Sequence, residues 1–441
     1  MPLNTALSEF NLKGYTSFHM PGHREIAASK KHNKYQKFLL KDLRKFQSKF
    51  YSYDLTETEN LDNLQEPSGC IKSSQDLLAE FFNASKAFYL TNGSTLGVMA
   101  MINGFLKKGE KLLLIKHSHK SAYQALKVGS IKPVYVRERS CDNGSFKMEL
   151  DDLEKKAETV GAKAVFITSP DYYGCDENIA EISKIAKEHG LYLLVDSAHG
   201  AHYRYMGKKT PLELGADCMN LSYHKTLPAL NQSALLLAGN GLSSEVTVSL
   251  QNWLNTLQTS SPSYPIIANI ELVHFLMKLY GRGLYRNLIK LCEQTRTAID
   301  AMPDIQVYDS DDETRLVIKS ENFSGIELSY VLEHEYKILA EMADQKSVIF
   351  IFNPLTTKTD INKLINALKN ISFKTSKSLP EISNENYEAL LDSLKENFGK
   401  PLEKNIYIYP PGTAAFVKGE KISQKLISTI ESAQDLKILL Q

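Results

Sequence analysis

What this sequence lacks narrows it first. Its five cysteines (Cys70, Cys141, Cys175, Cys218 and Cys292) are odd in number and never spaced as CxxC. That argues against a disulfide framework or a thiolate zinc site and for reduced thiols. No basic stretch followed by an apolar core opens the chain, and no apolar run approaches the roughly 18 residues of a membrane span, so a cytoplasmic protein is expected. Charge of neither sign is in excess: 52 basic residues stand against 51 acidic ones, a formal net charge of +1. No bulk field therefore points to nucleic acid or an anionic membrane. Internal repeats, low-complexity tracts, a P-loop and a dinucleotide fingerprint are missing too. The expected partner is a small molecule.

What is present is an ordinary globular composition, 43% hydrophobic and 23% charged, over 441 residues, enough for two or three domains. Short apolar strands at 87–90, 111–115, 134–136, 164–168, 191–195 and 218–221 alternate with stretches of helical spacing at 71–82, 153–160 and 179–189. Such alternation implies right-handed crossovers and a parallel or mixed sheet covered on both faces. A long amphipathic helix is expected over 267–299, interrupted at Gly281-Arg-Gly283. Strands at 314–318 and 347–352 with helices at 325–335 and 359–368 suggest a small α+β unit, followed by a polar linker at 372–385. The expected division is an N-terminal arm (1–60), a large cofactor-binding domain (61–300), a small α+β domain (301–371) and a C-terminal lobe (372–441).

Every strand of the large domain ends in polar punctuation. Thr91-Asn-Gly-Ser-Thr95 joins a strand to a helix and reads as a phosphate cup of backbone N–H groups and hydroxyls. His117-Ser-His-Lys-Ser121, Thr168-Ser-Pro-Asp-Tyr-Tyr-Gly174, Asp196-Ser-Ala-His-Gly-Ala-His202 and Ser222-Tyr-His-Lys225 close the others. In one parallel sheet these tips share an edge, where ligands bind. Taken alone, Lys225 is a lysine at a strand end with its head in water. Buried, it is an amine able to form an imine with a carbonyl compound.

Pyridoxal 5'-phosphate needs an imine-forming lysine, a carboxylate on its ring nitrogen, a group stacked on the ring and a phosphate cup. Lys225, Asp196 (29 residues earlier), His119, and Ser94 with Thr95 meet those needs in turn. Outside the tips, Pro21-Gly22 puts a turn between His19 and His23 and spoils any metal-binding helix face there, and no metal site is expected. The basic stretch 30–49 reads as a solvated helix face. The acidic stretch 54–66 reads either as a solvated loop or as carboxylates gathered for a cationic ligand.

Phe18-His-Met-Pro-Gly-His-Arg24, the acidic stretch closing at Gly69, the strand tips at 91–95, 117–121, 196–202 and 222–226, the loop 258–264 and Tyr409-Pro-Pro-Gly412 together resemble the pyridoxal-phosphate-dependent ornithine/lysine/arginine decarboxylase family. The resemblance runs in order from about residue 15 to 420. It implies an aspartate-aminotransferase-like α/β fold with a smaller α+β C-terminal region. It implies Lys225 as the imine-forming residue, Asp196 as partner of the ring nitrogen and His119 as the stacking group. The phosphate would be held by Gly93, Ser94, Thr95, Ser222 and His224, and His199 would lie near the phenolic oxygen or the substrate. A homodimer with shared sites is implied, Thr259 and Ser260 reaching the partner's phosphate. The expected reaction is decarboxylation of arginine, lysine or ornithine, toward polyamines, with Lys225 or His224 returning a proton to Cα. Asp54 and Glu57 are the candidates for holding the substrate's distal cation.

Two departures from the family pattern stand out. No N-terminal wing precedes the motifs, so a dimer is expected and not a decamer. After Pro-Pro-Gly the chain has Thr413-Ala414 and later Lys418-Gly-Glu420 where the family continues with Ile-Pro and Pro-Gly-Glu. The residues leave open a pyridoxal-phosphate enzyme of another reaction type, such as an aminotransferase, a metal-dependent hydrolase using His117, His119, His199 and His202, and a catalytically silent cofactor-binding homologue.

Overall fold

A computed structural model describes residues 2–12, 14–23, 32–58, 60–371, 385–409, 413–431 and 437–440. Arg24, the opening of the basic stretch, most of the expected 372–385 linker and residues 410–412 lie outside the described residues.

Seven strands form the central sheet: β1 (Lys86–Leu90), β2 (Lys111–Leu114), β3 (Lys132–Tyr135), β4 (Ala164–Thr168), β5 (Tyr192–Asp196), β6 (Cys218–Ser222) and β7 (Ala234–Ala238). Their order across the sheet is β1-β7-β6-β5-β4-β2-β3. The pairs β6–β5, β5–β4, β4–β2 and β2–β3 are parallel, while β7 runs antiparallel to both β6 and β1. Six strands thus point the same way, and their C-terminal ends line one edge.

The strands read as continuous apolar runs because both faces are covered. Successive side chains alternate between faces: Val165, Ile167, Leu193 and Val195 join one core cluster, Ala164, Phe166 and Leu194 the other. The first cluster is sealed by helices including α1 (Cys70–Phe82) and the second by α2 (Gly93–Phe105), which is buried on almost every side. The short run β7 carries no alternation of its own, so its role as the one reversed strand of this sheet was not readable locally.

The long helix α3 (Tyr264–Asp300) is continuous over 37 residues, which corrects the interruption expected at Gly281-Arg-Gly283. Those glycines are packing devices. A Cβ on Gly281 would lie 3.2 Å from the Tyr205 Cβ, and one on Gly283 would lie 2.9 Å from the Tyr35 ring. A helix accepts glycine at a cost of about 1 kcal/mol, which close approach of neighbours can offset.

Beyond α3 lies a four-stranded antiparallel sheet of β8 (Ile305–Tyr308), β9 (Arg315–Ser320), β10 (Met342–Ala343) and β11 (Val348–Ile351), in the order β8-β9-β11-β10. A three-stranded sheet of β12 (Ile406–Tyr409), β13 (Thr413–Phe416) and β14 (Lys437–Leu440) follows. This last unit touches the central tips: Lys116, just past β2, pairs with Glu420 at 3.3 Å and sits 4.9 Å above the Phe416 ring.

The basic stretch contributes the helix Lys34–Ser48, opened by a capping box between Asn33 and Gln36, with Lys37, Lys41 and Lys45 in solvent. In the acidic stretch no element forms between residues 54 and 58, and one carboxylate has a structural task. Asp62 Oδ1 accepts from the N–H of Asn63 and Ser68, both at 2.9 Å, and Oδ2 from Gly69 at 2.7 Å and Ile71 at 3.0 Å. Asp62 therefore caps α1 from outside it. Burial works against ionisation there, yet these N–H groups hold the carboxyl at about 2.

Candidate active site

Lys225 sits on a single helical turn, Tyr223–Thr226, that begins where β6 ends. The turn is held from behind by the N-terminal segment. Gly22 donates its N–H to the His224 carbonyl at 2.8 Å, and a Cβ on Gly22 would fall 2.3 Å from the Leu227 carbonyl oxygen. Only glycine lets one backbone lie that close to another. The Pro21-Gly22 turn is thus a wedge behind Lys225.

Lys225 keeps part of its surface open to the crevice, but its nitrogen is enclosed. Nζ lies 2.9 Å from His199 Nε2 and 5.0 Å from the centre of the Tyr172 ring. Burial lowers its pKa below the ordinary lysine value; the carboxylates of Asp196 and Glu341 oppose this, and the Arg315 cation adds to it.

Asp196 ends β5 and is 4% exposed, in register with Asn220 of β6. Its Oδ1 accepts from the Asn220 amide at 3.0 Å and from the Ala198 N–H at 3.2 Å. Burial pushes the carboxyl up, while the charge of Lys225 and these two hydrogen bonds hold it down. Asn220 is pinned by α2, whose Gly97 leaves room for it: a Cβ there would meet the Asn220 Oδ1 at 2.3 Å.

Three imidazoles surround the amine, and burial keeps each neutral. His119 caps the helix Lys120–Gly129, its Nδ1 accepting from the Ser121 N–H at 3.3 Å; burial, with the charges of Lys225 and Lys120, brings it down to about 3. His224 Nδ1 donates to the Ser233 carbonyl at 3.1 Å, and burial brings it down to about 4. His199 Nδ1 faces Arg315 Nη2 at 2.8 Å, and burial drives its pKa well below the ordinary value. Arg315 in turn lies 3.8 Å from Asp312, whose other oxygen faces His202 Nε2 at 3.0 Å and accepts from Thr314.

At the far end of the crevice Ser222 Oγ bonds Ser94 Oγ at 2.7 Å. Ser94 lies in the first turn of α2, which opens at Gly93 with φ +73°. The first N–H groups of a helix have no partner inside it and favour an anion.

The residues present fit pyridoxal phosphate. An enclosed amine faces a buried carboxylate whose two hydrogen bonds both end on one oxygen, and paired hydroxyls stand at a helix N-terminus. At the same edge the buried hydroxyls of Thr91 and Thr168 have no hydrogen-bond partner among the described residues, as in a crevice completed by a ligand.

The structure therefore brings Gly93, Ser94, His119, Asp196, His199, Ser222, His224 and Lys225 to one edge. Thr95 belongs to the same turn of α2 but is exposed. Thr259 and Ser260 are exposed on the loop after Gln258, whose side chain accepts from the Thr91 N–H at 3.2 Å. Asp54 and Glu57 are also exposed, Glu57 accepting from the Thr56 hydroxyl at 2.5 Å; the carboxylates that act on Lys225 are Asp196 and Glu341. Sequence reasoning missed Asn220, Arg315, Glu341 and Tyr172. The available signals were a polar residue inside an apolar strand (Asn220) and a cation opening one (Arg315).

A family model for the Orn/Lys/Arg decarboxylase major domain matches residues 1–323. A Bacillus subtilis (strain 168) protein called YaaO is 28% identical over 477 residues, covering 100% of this chain and 95% of its own. The arginine decarboxylase of the same organism is 28% identical over 467 residues, covering 97% of this chain and 92% of its own. Among solved structures, the Francisella novicida lysine decarboxylase superposes with a TM-score of 0.72 at 17% identity, covering 96% of this chain and 79% of its own, and shares the fold.

Proposed function

The chain belongs to the Orn/Lys/Arg decarboxylase family, and on that premise we propose that it is a pyridoxal-phosphate-dependent decarboxylase acting on arginine, with lysine and ornithine as the competing substrates. The observation that carries the reading is the enclosed Lys225 amine, in whose field the Asp196 carboxylate acts. Arginine comes first because relatives from Bacillus subtilis and Bacillus anthracis that match over nearly the whole chain are named arginine decarboxylases.

When bound, pyridoxal phosphate supplies an electron sink for the pair released as the α-carboxyl group leaves as carbon dioxide. In this reading Lys225 offers a neutral amine to the cofactor's carbonyl carbon. Asp196 keeps a proton on the ring nitrogen. His119, neutral and part-buried, covers one face of the ring, while Ser94, Ser222, His224 and the first N–H groups of α2 hold the phosphate. Lys225 Nζ, or His224 once its Nε2 has itself taken up a proton, returns a proton to Cα.

The contacts of the histidines favour this reading over a metal hydrolase. His199 is engaged at both ring nitrogens by Lys225 and Arg315, His202 faces Asp312, and His117 pairs with Glu138. In a homodimer with shared sites, the exposed Thr259 and Ser260 would serve the partner's phosphate, and the exposed Asp54 and Glu57 a substrate's distal cation. The division at 60, 300 and 371 belongs to the same proposal.

The test is incubation with arginine, lysine and ornithine separately, following carbon dioxide and the amine product, with Lys225→Ala as the blank. Carbon dioxide and amine from arginine in excess of the other two is the expected result. A keto acid without carbon dioxide would replace the reading with an aminotransferase. An unchanged KM in Glu57→Gln for every basic amino acid would remove that residue from substrate binding.

A further inference from the structure

Arg315 opens β9, in a sheet separate from the one whose edge carries Lys225, and it is wholly buried. Its nearest carboxylate, Asp312, stands off at 3.8 Å and spends Oδ1 on Thr314 and His202. The tight contact of Arg315 is instead with an imidazole, His199 Nδ1, at 2.8 Å. The fold makes room for this route: Gly174, at φ +80°, lies where a Cβ would meet the Arg315 Cγ at 2.5 Å.

A guanidinium has only donors and does not deprotonate in a protein. Nδ1 of His199 must therefore accept, and the ring's one proton sits on Nε2. Nε2 lies 2.9 Å from Lys225 Nζ, so the N–H on it can be satisfied only by a lone pair on that nitrogen. We propose that Arg315 is a positioning residue for Lys225: it fixes the proton of His199 on Nε2 and so turns that N–H onto the amine, which is met with its lone pair available for the carbonyl carbon. His199 is then a standing donor and cannot act as a base toward Lys225. The proposal rests on the reading of Lys225 as the residue that takes the cofactor.

The groups facing this pair are Asp196 and Glu341 on the acidic side, Arg315, His119 and His224 on the other, and the Tyr172 ring, 4.3 Å from His199. Arg315 is the fixed cation among them, so its removal should both release the tautomer and let the amine hold its proton to higher pH.

The test has two readouts on the full chain freed of cofactor. In protein labelled with 15N-histidine, the long-range 15N–1H correlations of His199, identified by their loss in His199→Gln, are expected to show the Nε2–H tautomer. They should lose that pattern in Arg315→Met. An Nδ1–H pattern in the wild type would overturn the proposal whether or not the variant folds. The second readout is the rate at which borohydride fixes pyridoxal phosphate to Lys225, read by peptide mass against pH. Its inflection should rise by roughly one unit in Arg315→Met and return part of the way in Arg315→Lys. A merely structural role would lower the melting temperature and leave the inflection where it was, and that result would also overturn the proposal. If the wild type fixed no cofactor at Lys225, the decarboxylase reading would fall, and the tautomer measurement would still decide the role of Arg315.

Discussion

Asn220→Ala should weaken cofactor binding in a pH-dependent way, through a residue that never touches the lysine. Asn220 and Ala198 supply the two hydrogen bonds on Asp196 Oδ1, and burial already pushes that carboxyl up. A hydrogen bond to a charged group is worth about 1.5–3 kcal/mol, and each 1.36 kcal/mol corresponds to about one pKa unit. Losing the amide should therefore raise the Asp196 carboxyl by roughly one to two units. The direction follows from the charge: a carboxyl whose pKa rises loses its anion at higher pH. Between about pH 9 and pH 6 the variant's affinity for pyridoxal phosphate should fall further below the wild type's as the pH drops, by up to about tenfold for each unit of that rise. Dissociation constants from absorbance titrations across that range, with a melting temperature at each pH, make the measurement. A uniform loss at every pH would mean that the cavity left by the side chain dominates, and no loss would mean that Asp196 is held without Asn220; either refutes the reasoning.

Two structural predictions follow from the elements that frame the site. Asp62→Ala should destabilise the chain by about 1 kcal/mol, the value of a helix cap, kept low by the residue's partial exposure. The Asp62 carboxyl titrates at about 2 in the folded chain against about 3.9 when unfolded, so its contribution is present above about pH 4 and fades as the pH falls to 2. Urea midpoints of wild type and variant should thus differ at neutral pH and converge in acid, and a gap that persists at pH 2 would contradict the capping role. Gly22→Ala drives a Cβ onto the Leu227 carbonyl, 2.3 Å away, and overpacking of that kind costs about 1–3 kcal/mol. It should slow borohydride fixing of the cofactor at Lys225 as well as lower the melting temperature, whereas an unchanged fixing rate would detach the Pro21-Gly22 turn from the site.

What was legible in the sequence is what is local. Strands such as Ala164–Thr168 declare themselves by apolar runs, and their polar ends announce a shared edge as soon as the sheet is taken as parallel. The tips holding Ser94, His119, Asp196, Ser222 and Lys225 could be lined up on that argument alone, because the C-terminal ends of parallel strands have nowhere else to go. Gly281 was misread for the converse reason. Its cost to a helix is local and its benefit, contact with Tyr205, is not. Arg315 and His199 are 116 residues apart, and nothing in Asp311-Asp-Glu-Thr-Arg315 distinguishes a buried arginine from the solvated charge its acidic neighbours suggest. Asp312 is likewise one of three consecutive acidic residues, yet it is fully buried. Burial works against its ionisation, but His202 and Arg315 hold its carboxyl well below the usual range. Composition assigns such a run to solvent, and the fold draws Asp312 out of it into a buried contact with His202, 110 residues earlier, and with Arg315, three residues on. The place of Lys225 is therefore announced by its own sheet edge, while the control of its proton proposed above comes from a sheet that the edge does not predict.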